Sequence, residues 1–159
     1  MSEQAAQLAE KFEAINGEFI NVVSDCSAEQ WQRTSASEGW TVGVVAHHVA
    51  GGHAAFSGLL HALASGNNQL PPVTMDMIAV GNAQHAKDFA TVGKPETLEL
   101  LTRDGEMLAQ SIRGLTDEQL GYTTNVFGGR EMTVAQVVEN VFIGHPTGHL
   151  AHIRESIAA

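Results

Sequence analysis

The sequence predicts an all-α fold: an up-down four-helix bundle with a small hairpin or extended loop before the last helix. Three observations predict it. Several long segments repeat apolar residues at steps of three and four, the period of a helix with one buried face. Helix-starting residues stand just ahead of these segments. Extended-type sequence is confined to one short stretch, so few long-range strand pairs are available and an α/β arrangement is disfavoured.

Segment 4–25 places Leu8, Phe12, Ile15, Phe19, Val22 and Cys26 on one face, which makes it the first amphipathic helix. Ser27 then caps a short turn, with Gln30 at the capping-box position. Gly39 breaks the chain, and Thr41 caps a second helix running to about Ser65. The polar run Gly66 to Pro72 is a loop. A third helical stretch, about Thr74 to Phe89, is only weakly apolar. Gly93 interrupts it, and Pro95 suits a first helical turn. From there Leu98, Leu101, Leu108, Ile112 and Leu115 form another stripe, with Gly114 near its end. Tyr122, Thr123, Thr124, Val126 and Phe127 favour extended structure, and Gly128-Gly129 supplies a turn. Thr133 caps the last helix, 134–157. No repeat, low-complexity tract or linker divides the chain, so residues 1–159 read as one domain.

The bulk composition narrows the function. A chain of 159 residues with 43% hydrophobic content has enough apolar material for a core. It has 8 Lys plus Arg against 18 Asp plus Glu, a net charge of -10, and no basic stripe. Phosphate backbones would be repelled, so no nucleic-acid partner is expected. No apolar run is long enough to span a membrane, and the N-terminus lacks the pattern of a secretory signal or transit peptide. The expected compartment is the cytoplasm. The single cysteine, Cys26, excludes an internal disulfide and a cysteine-based zinc cluster; it closes the first helix's stripe as a small buried hydrophobe.

Eight histidines are the unusual feature. On the last helix, Val134, Val138, Val141, Phe142, His145, His149 and Ile153 share one angular sector, so His145 and His149 continue the core stripe. Four residues apart, both imidazoles can reach one ion. Pro146, between them, removes a backbone donor and should kink the helix. That kink leaves His152 as a substitute ligand or partner. On the second helix, the apolar face centres about 70° from His48, counting about 100° per residue. His48 and His53 lie on opposite margins of that face, and position alone does not choose between them. His47 and His61 point away from it. A third histidine would complete an open three-ligand site.

The segment GWTVGVVAHHVAGGH, Gly39 to His53, resembles the start of the second helix in the DinB-like superfamily. The segment IGHPTGHLAHIRESI resembles that superfamily's last helix, and MIAVGNAQHAKDF resembles the third-helix region of the subgroup containing the mycothiol-dependent isomerases. The resemblance covers nearly the whole chain in the right order. It implies a divalent metal, zinc or nickel before others, held by His48, His145 and His149, with Asn82 facing the pocket as a cofactor-binding residue. His85, three residues past Asn82, reads as a partly exposed helix residue, with a role in the pocket as the alternative. The resemblance further implies a metal-dependent small-thiol S-transferase or isomerase, as in maleylpyruvate isomerase and the bacillithiol S-transferases, using a low-molecular-weight thiol on a small-molecule substrate. A metal-dependent hydrolase and a non-catalytic, stress-related binding bundle are the alternatives. No general base stands beside the three histidines in the sequence. A homodimer is expected, from the resemblance and because C2 dimers are the commonest oligomers.

Overall fold

The computed structural model describes residues 2–66, 70–128 and 130–159. Part of the expected 66–72 loop and one glycine of the Gly128-Gly129 turn lie outside these residues. The described residues are all-α apart from one small hairpin and an isolated bridge between Thr34 and Thr41. Helix α1 (Glu3–Asp25) starts at Ser2, and α2 (Ala28–Gln32) carries both bonds of the Ser27–Gln30 capping box. Helix α3 (Val42–Ala64) is capped by the Thr41 hydroxyl, and α4 (Met75–Asp88) by that of Thr74. Helix α5 spans Lys94–Arg113 with Pro95 in its first turn. A short helix absent from the sequence reading, α6 (Asp117–Gly121), follows; Thr116 and Gln119 give it a capping box like that of α2. Strands β1 (Thr123–Thr124) and β2 (Met132–Thr133) pair antiparallel.

The last helix is composite. Helix α7 (Val134–Val137) leads into a π-helical stretch (Val138–Ile143) and then α8 (Gly144–Ala158). The widened turn ends just before Pro146, whose ring would collide with the carbonyl four residues back in a regular helix. Its effect corrects the expected stripe. The core face runs Val134, Val138, Phe142, Pro146, Leu150 and Ile153, while His145 and His149 flank it, half-buried.

Around the bundle, α5 packs against both α1 and α3, and the last helix packs against the same two from the other side. The core forms two clusters. One centres on Phe12, Leu108 and Phe142, the other on Phe19, Val45 and Leu101, with Cys26 buried among the latter. Helix α4 lies outside this arrangement and has no fully buried residue. Among the described residues, no helix is long and apolar enough to cross a membrane.

Candidate metal centre

The site forms where α3 meets the last helix. His48 Nε2 and His145 Nε2 lie 2.9 Å apart. The His149 ring stands edge-on to both, at centroid distances of 5.0 Å and 4.6 Å. One ligand nitrogen from each of the three lies within 4.8 Å of the others. Four ligands in a tetrahedron about 2.1 Å from a zinc ion stand about 3.4 Å from one another, so the spacing suits one ion.

Protonation suits it too. Burial pushes the His48 imidazole down to about 4, with the nearby His149 and His85 adding to the effect. Burial pushes His145 further, to about 2, again with His149 next in importance. Both rings are therefore neutral near pH 7, the form in which imidazole binds metal.

Local packing explains how the rings converge. Gly52 lies one turn after His48, on the same face of α3. A Cβ there would stand 3.1 Å from His145 Cε1, so glycine lets the ring rest against the helix. Phe56, one turn further, meets the same ring edge-on at 5.2 Å and stacks on Phe142 at 4.7 Å. Trp40 meets the His48 ring edge-on at 5.6 Å. The Nδ1 of His145 is buried without a hydrogen-bond partner among the described residues, so this ring is held by packing.

The sequence reading missed Glu38. Its Oε1 lies 2.6 Å from His149 Nδ1 and 2.6 Å from His152 Nδ1. The loop that carries it is tightly closed: Thr34 bridges Thr41, Ser35 N–H donates to the Trp40 carbonyl, and Val42 N–H donates to that of Arg33. Gly39 turns the chain at φ 74°, a conformation other residues rarely adopt. Arg33 and Ser37 tie the loop to the end of α8. Burial raises the Glu38 carboxyl pKa, but the hydrogen bonds and charges of His152 and His149 outweigh it and leave the group below its ordinary value. An ionised Glu38 accepting from His149 Nδ1–H fixes that ring and leaves Nε2 for the ion, an arrangement common among metal-binding histidines. Glu38, His149 and His152 form a second group of potential ligands, also within 4.8 Å of one another. His152 thus stands beside the carboxylate that orients His149.

The other histidines have separate places. His53 is fully buried and pairs through Nε2 with Asn16 Oδ1 at 2.9 Å, facing α1, which separates it from His48. His61 is exposed. His47 points away from the main core as expected, and α4 covers it, so that it is only 6% exposed. Its Nδ1 lies 2.8 Å from His85 Nε2, and its ring stacks on Phe89. His85 is accordingly partly buried, and it stands edge-on to His48 at 5.5 Å.

The three-histidine cluster opens into a cavity of about 540 Å³. Ala55, Phe56 and Leu59 of α3, Ile78 and Gly81 of α4, and Val73, Phe127 and Val141 form its walls. Asn82, the expected pocket residue, lines it as well.

Residues 12–141 match the family described as the Mycothiol maleylpyruvate isomerase N-terminal domain. The fold is similar to that of YfiT from Bacillus subtilis, described as a probable metal-dependent hydrolase with an unusual four-helix bundle topology. That likeness has 22% identity and a TM-score of 0.76, covering 98% of this chain and 87% of that one. The fold is also similar to the mycothiol-dependent maleylpyruvate isomerase, at 14% identity and a TM-score of 0.73. There the alignment covers 98% of this chain but only 63% of the isomerase chain. No curated protein sequence matches the chain.

Proposed function

Because the chain belongs to the mycothiol maleylpyruvate isomerase N-terminal domain family, a DinB-like group, we propose that it is a metal-dependent enzyme of small-thiol chemistry. His48, His145 and His149 hold the ion, and Glu38 orients His149. The observation that carries the reading is the convergence of three imidazoles at the wall of an apolar cavity. When bound there, a divalent ion supplies positive charge that favours the thiolate form of a small thiol. The cavity holds an electrophile beside it and limits access of water. In the transfer, the thiol proton goes to solvent and the sulfur lone pair forms the new C–S bond. The leaving group departs with its bonding pair or, in addition to a conjugated double bond, the displaced pair takes up a proton.

Hydrolysis is the second reading, and a feature of the walls weighs against it. Among the described residues no carboxylate lines the cavity to direct a water, and Glu38 is committed to His149 and His152. A thiolate nucleophile needs no such base at the moment of attack.

The test is a conjugation assay on a model electrophile, run with each major low-molecular-weight thiol. Turnover specific to one thiol, lost on chelation and restored by zinc or nickel, is expected. Full metal retention without turnover on any thiol would reject the transferase in favour of a binding bundle.

A further inference from the structure

We infer that the electrophile accepted by this cavity is uncharged and largely apolar, with one hydrogen-bonding group that meets Asn82. The inference rests on the thiol-transfer reading for the word electrophile; the binding preference itself does not. It starts from the walls. Apart from the three histidines, every side chain lining the cavity among the described residues is apolar except Asn82. A cavity of about 540 Å³ lies in the size range of small-molecule sites, where a few polar groups on apolar walls set orientation.

A substrate with carboxylates away from the ion would need a cation, and the chain's cations are placed elsewhere. The protein has 8 Lys plus Arg. Lys11 pairs with Glu139, Arg113 with Glu13, Arg154 with Glu18, and Arg103 with Asp104. Arg33 donates to carbonyls at the end of α8, and Lys94 to those of Ser24 and Cys26. Lys87 and Arg130 are exposed, and neither lines the cavity. Behind the histidines the Glu38 carboxylate, in contact with His149, adds a negative charge that disfavours an anion. A buried carboxylate with no partner is strongly disfavoured, so these walls select against a dicarboxylic acid and for a neutral molecule.

Asn82 supplies the one directional contact. Its amide can donate to or accept from a hydroxyl, carbonyl or nitro group on the ligand. It thereby fixes which end of the molecule faces the histidines.

The test measures binding without any thiol, by fluorescence or calorimetry, on both chelator-treated and zinc-loaded protein. The probes are 2-naphthol, naphthalene and the dianion naphthalene-2,6-dicarboxylate. Circular dichroism first establishes that each variant keeps the wild-type helical signal. In chelator-treated protein 2-naphthol should bind at least about 100-fold more tightly than the dianion. In zinc-loaded protein, where one carboxylate can meet the ion, the preference should narrow but keep its sign. Asn82→Leu should weaken 2-naphthol about 5-fold, the worth of one ordinary hydrogen bond, and leave naphthalene unchanged. Ala55 is an exposed helical residue at the cavity wall, so Ala55→Arg adds a cation with little risk to the core. It should narrow the preference at least tenfold. Equal or tighter binding of the dianion to the wild type, binding of neither class, or a preference unmoved by Ala55→Arg would overturn the inference. Failure of the thiol assay together with the expected binding pattern would remove the transferase reading and leave the neutral, apolar ligand class standing.

Discussion

Two regions line the same cavity and are built differently. Helices α1, α3, α5 and the last helix enclose the two core clusters, in which Phe12, Phe19, Leu101 and Phe142 have no exposed surface. Helix α4 buries no residue fully, and its Met75, Met77 and Val80 are 76%, 58% and 70% exposed. All three histidines of the candidate centre come from the packed region, while α4 contributes Ile78, Gly81 and Asn82 to the opposite wall. The packed region is suited to hold ligand nitrogens at fixed spacing, and α4 to shape what binds beside them. Histidine links the two: the His47–His85 contact and the Phe89 stack lie between α3 and α4.

The sharpest separation uses neighbouring histidines. His149→Ala and His48→Ala each remove one of three imidazoles, and bound metal should fall below detection after dialysis. His47→Ala should keep its metal, because that ring faces α4. It should instead speed amide exchange along Met75–Asp88 relative to α1 and α5. Elemental analysis and hydrogen exchange on the same untagged samples check both statements. Metal loss in His47→Ala with metal retained in His48→Ala would reverse the assignment of the two regions.

Acid should strike the packed region next. His53 is fully buried against Asn16 and Phe12, and burial pushes its pKa down to about 4. The unfolded chain takes up a proton near pH 6.5, whereas the folded chain resists it. The stabilisation from a neutral His53 is therefore complete above about pH 6.5 and declines as pH falls towards 4. The displacement amounts to roughly 3 kcal/mol for this one group. His48 and His145 shift in the same direction. Urea unfolding of metal-free protein at pH 7 and pH 4.5 should show the loss. In His53→Asn it should be smaller by a large fraction of that amount. An unchanged pH dependence in that variant would show that His53 does not carry the effect.

Glu38→Gln tests how far the loop supports the centre. The amide keeps the size of the side chain but loses the charge that orients His149, and such partners are typically worth 10–100-fold in metal affinity. A fall in zinc affinity within that range is expected, with thermal stability nearly preserved. Unchanged affinity would mean that packing alone orients His149.

These tests also mark where the sequence was legible. The caps at Ser27, Thr41 and Thr133 were readable because a polar side chain ahead of an apolar repeat has one main structural use. The same signal at Thr116 and Gln119 passed unread, because the helix it opens is only five residues long and shows no period. His145 and His149 were legible by spacing, and His48 by resemblance. The histidines' position beside the core stripe was not legible, because a π-helical turn changes the angular count. The burial of His47 was not legible for a related reason. A helical wheel gives direction about its own axis and cannot know that α4 covers the far side. Glu38 carried the least signal of all. It sits in a loop without periodicity, and its role depends on a turn at Gly39 and on a helix more than a hundred residues away.

The smallest expected effect compares two glycines facing the same cavity. Gly52 lies within α3 and Gly81 within α4, and alanine at a mid-helix glycine ordinarily gains up to about 1 kcal/mol from backbone propensity. Their surroundings differ. A Cβ at Gly81 would meet nothing within 4 Å, whereas one at Gly52 would stand 3.1 Å from His145 Cε1 and 3.7 Å from Phe56. The His145 ring must therefore yield by a few tenths of an ångström in Gly52→Ala. Its Nδ1 has no hydrogen bond among the described residues to hold it in place, and the ring meets Phe56 edge-on within the packed region. A small displacement there moves one ligand nitrogen away from the other two. Gly52→Ala should lower zinc affinity about 3–10-fold, with a net stability change near zero because propensity gain and crowding offset each other. Gly81→Ala should raise stability by a few tenths of a kcal/mol, or slow exchange along α4, with zinc affinity unchanged. Calorimetric zinc titration of the two variants separates the regions by geometry alone, since each adds the same methyl group. Equal affinities in both would show that the packed region has slack at His145, and that convergence of the three rings does not depend on a bare backbone at Gly52.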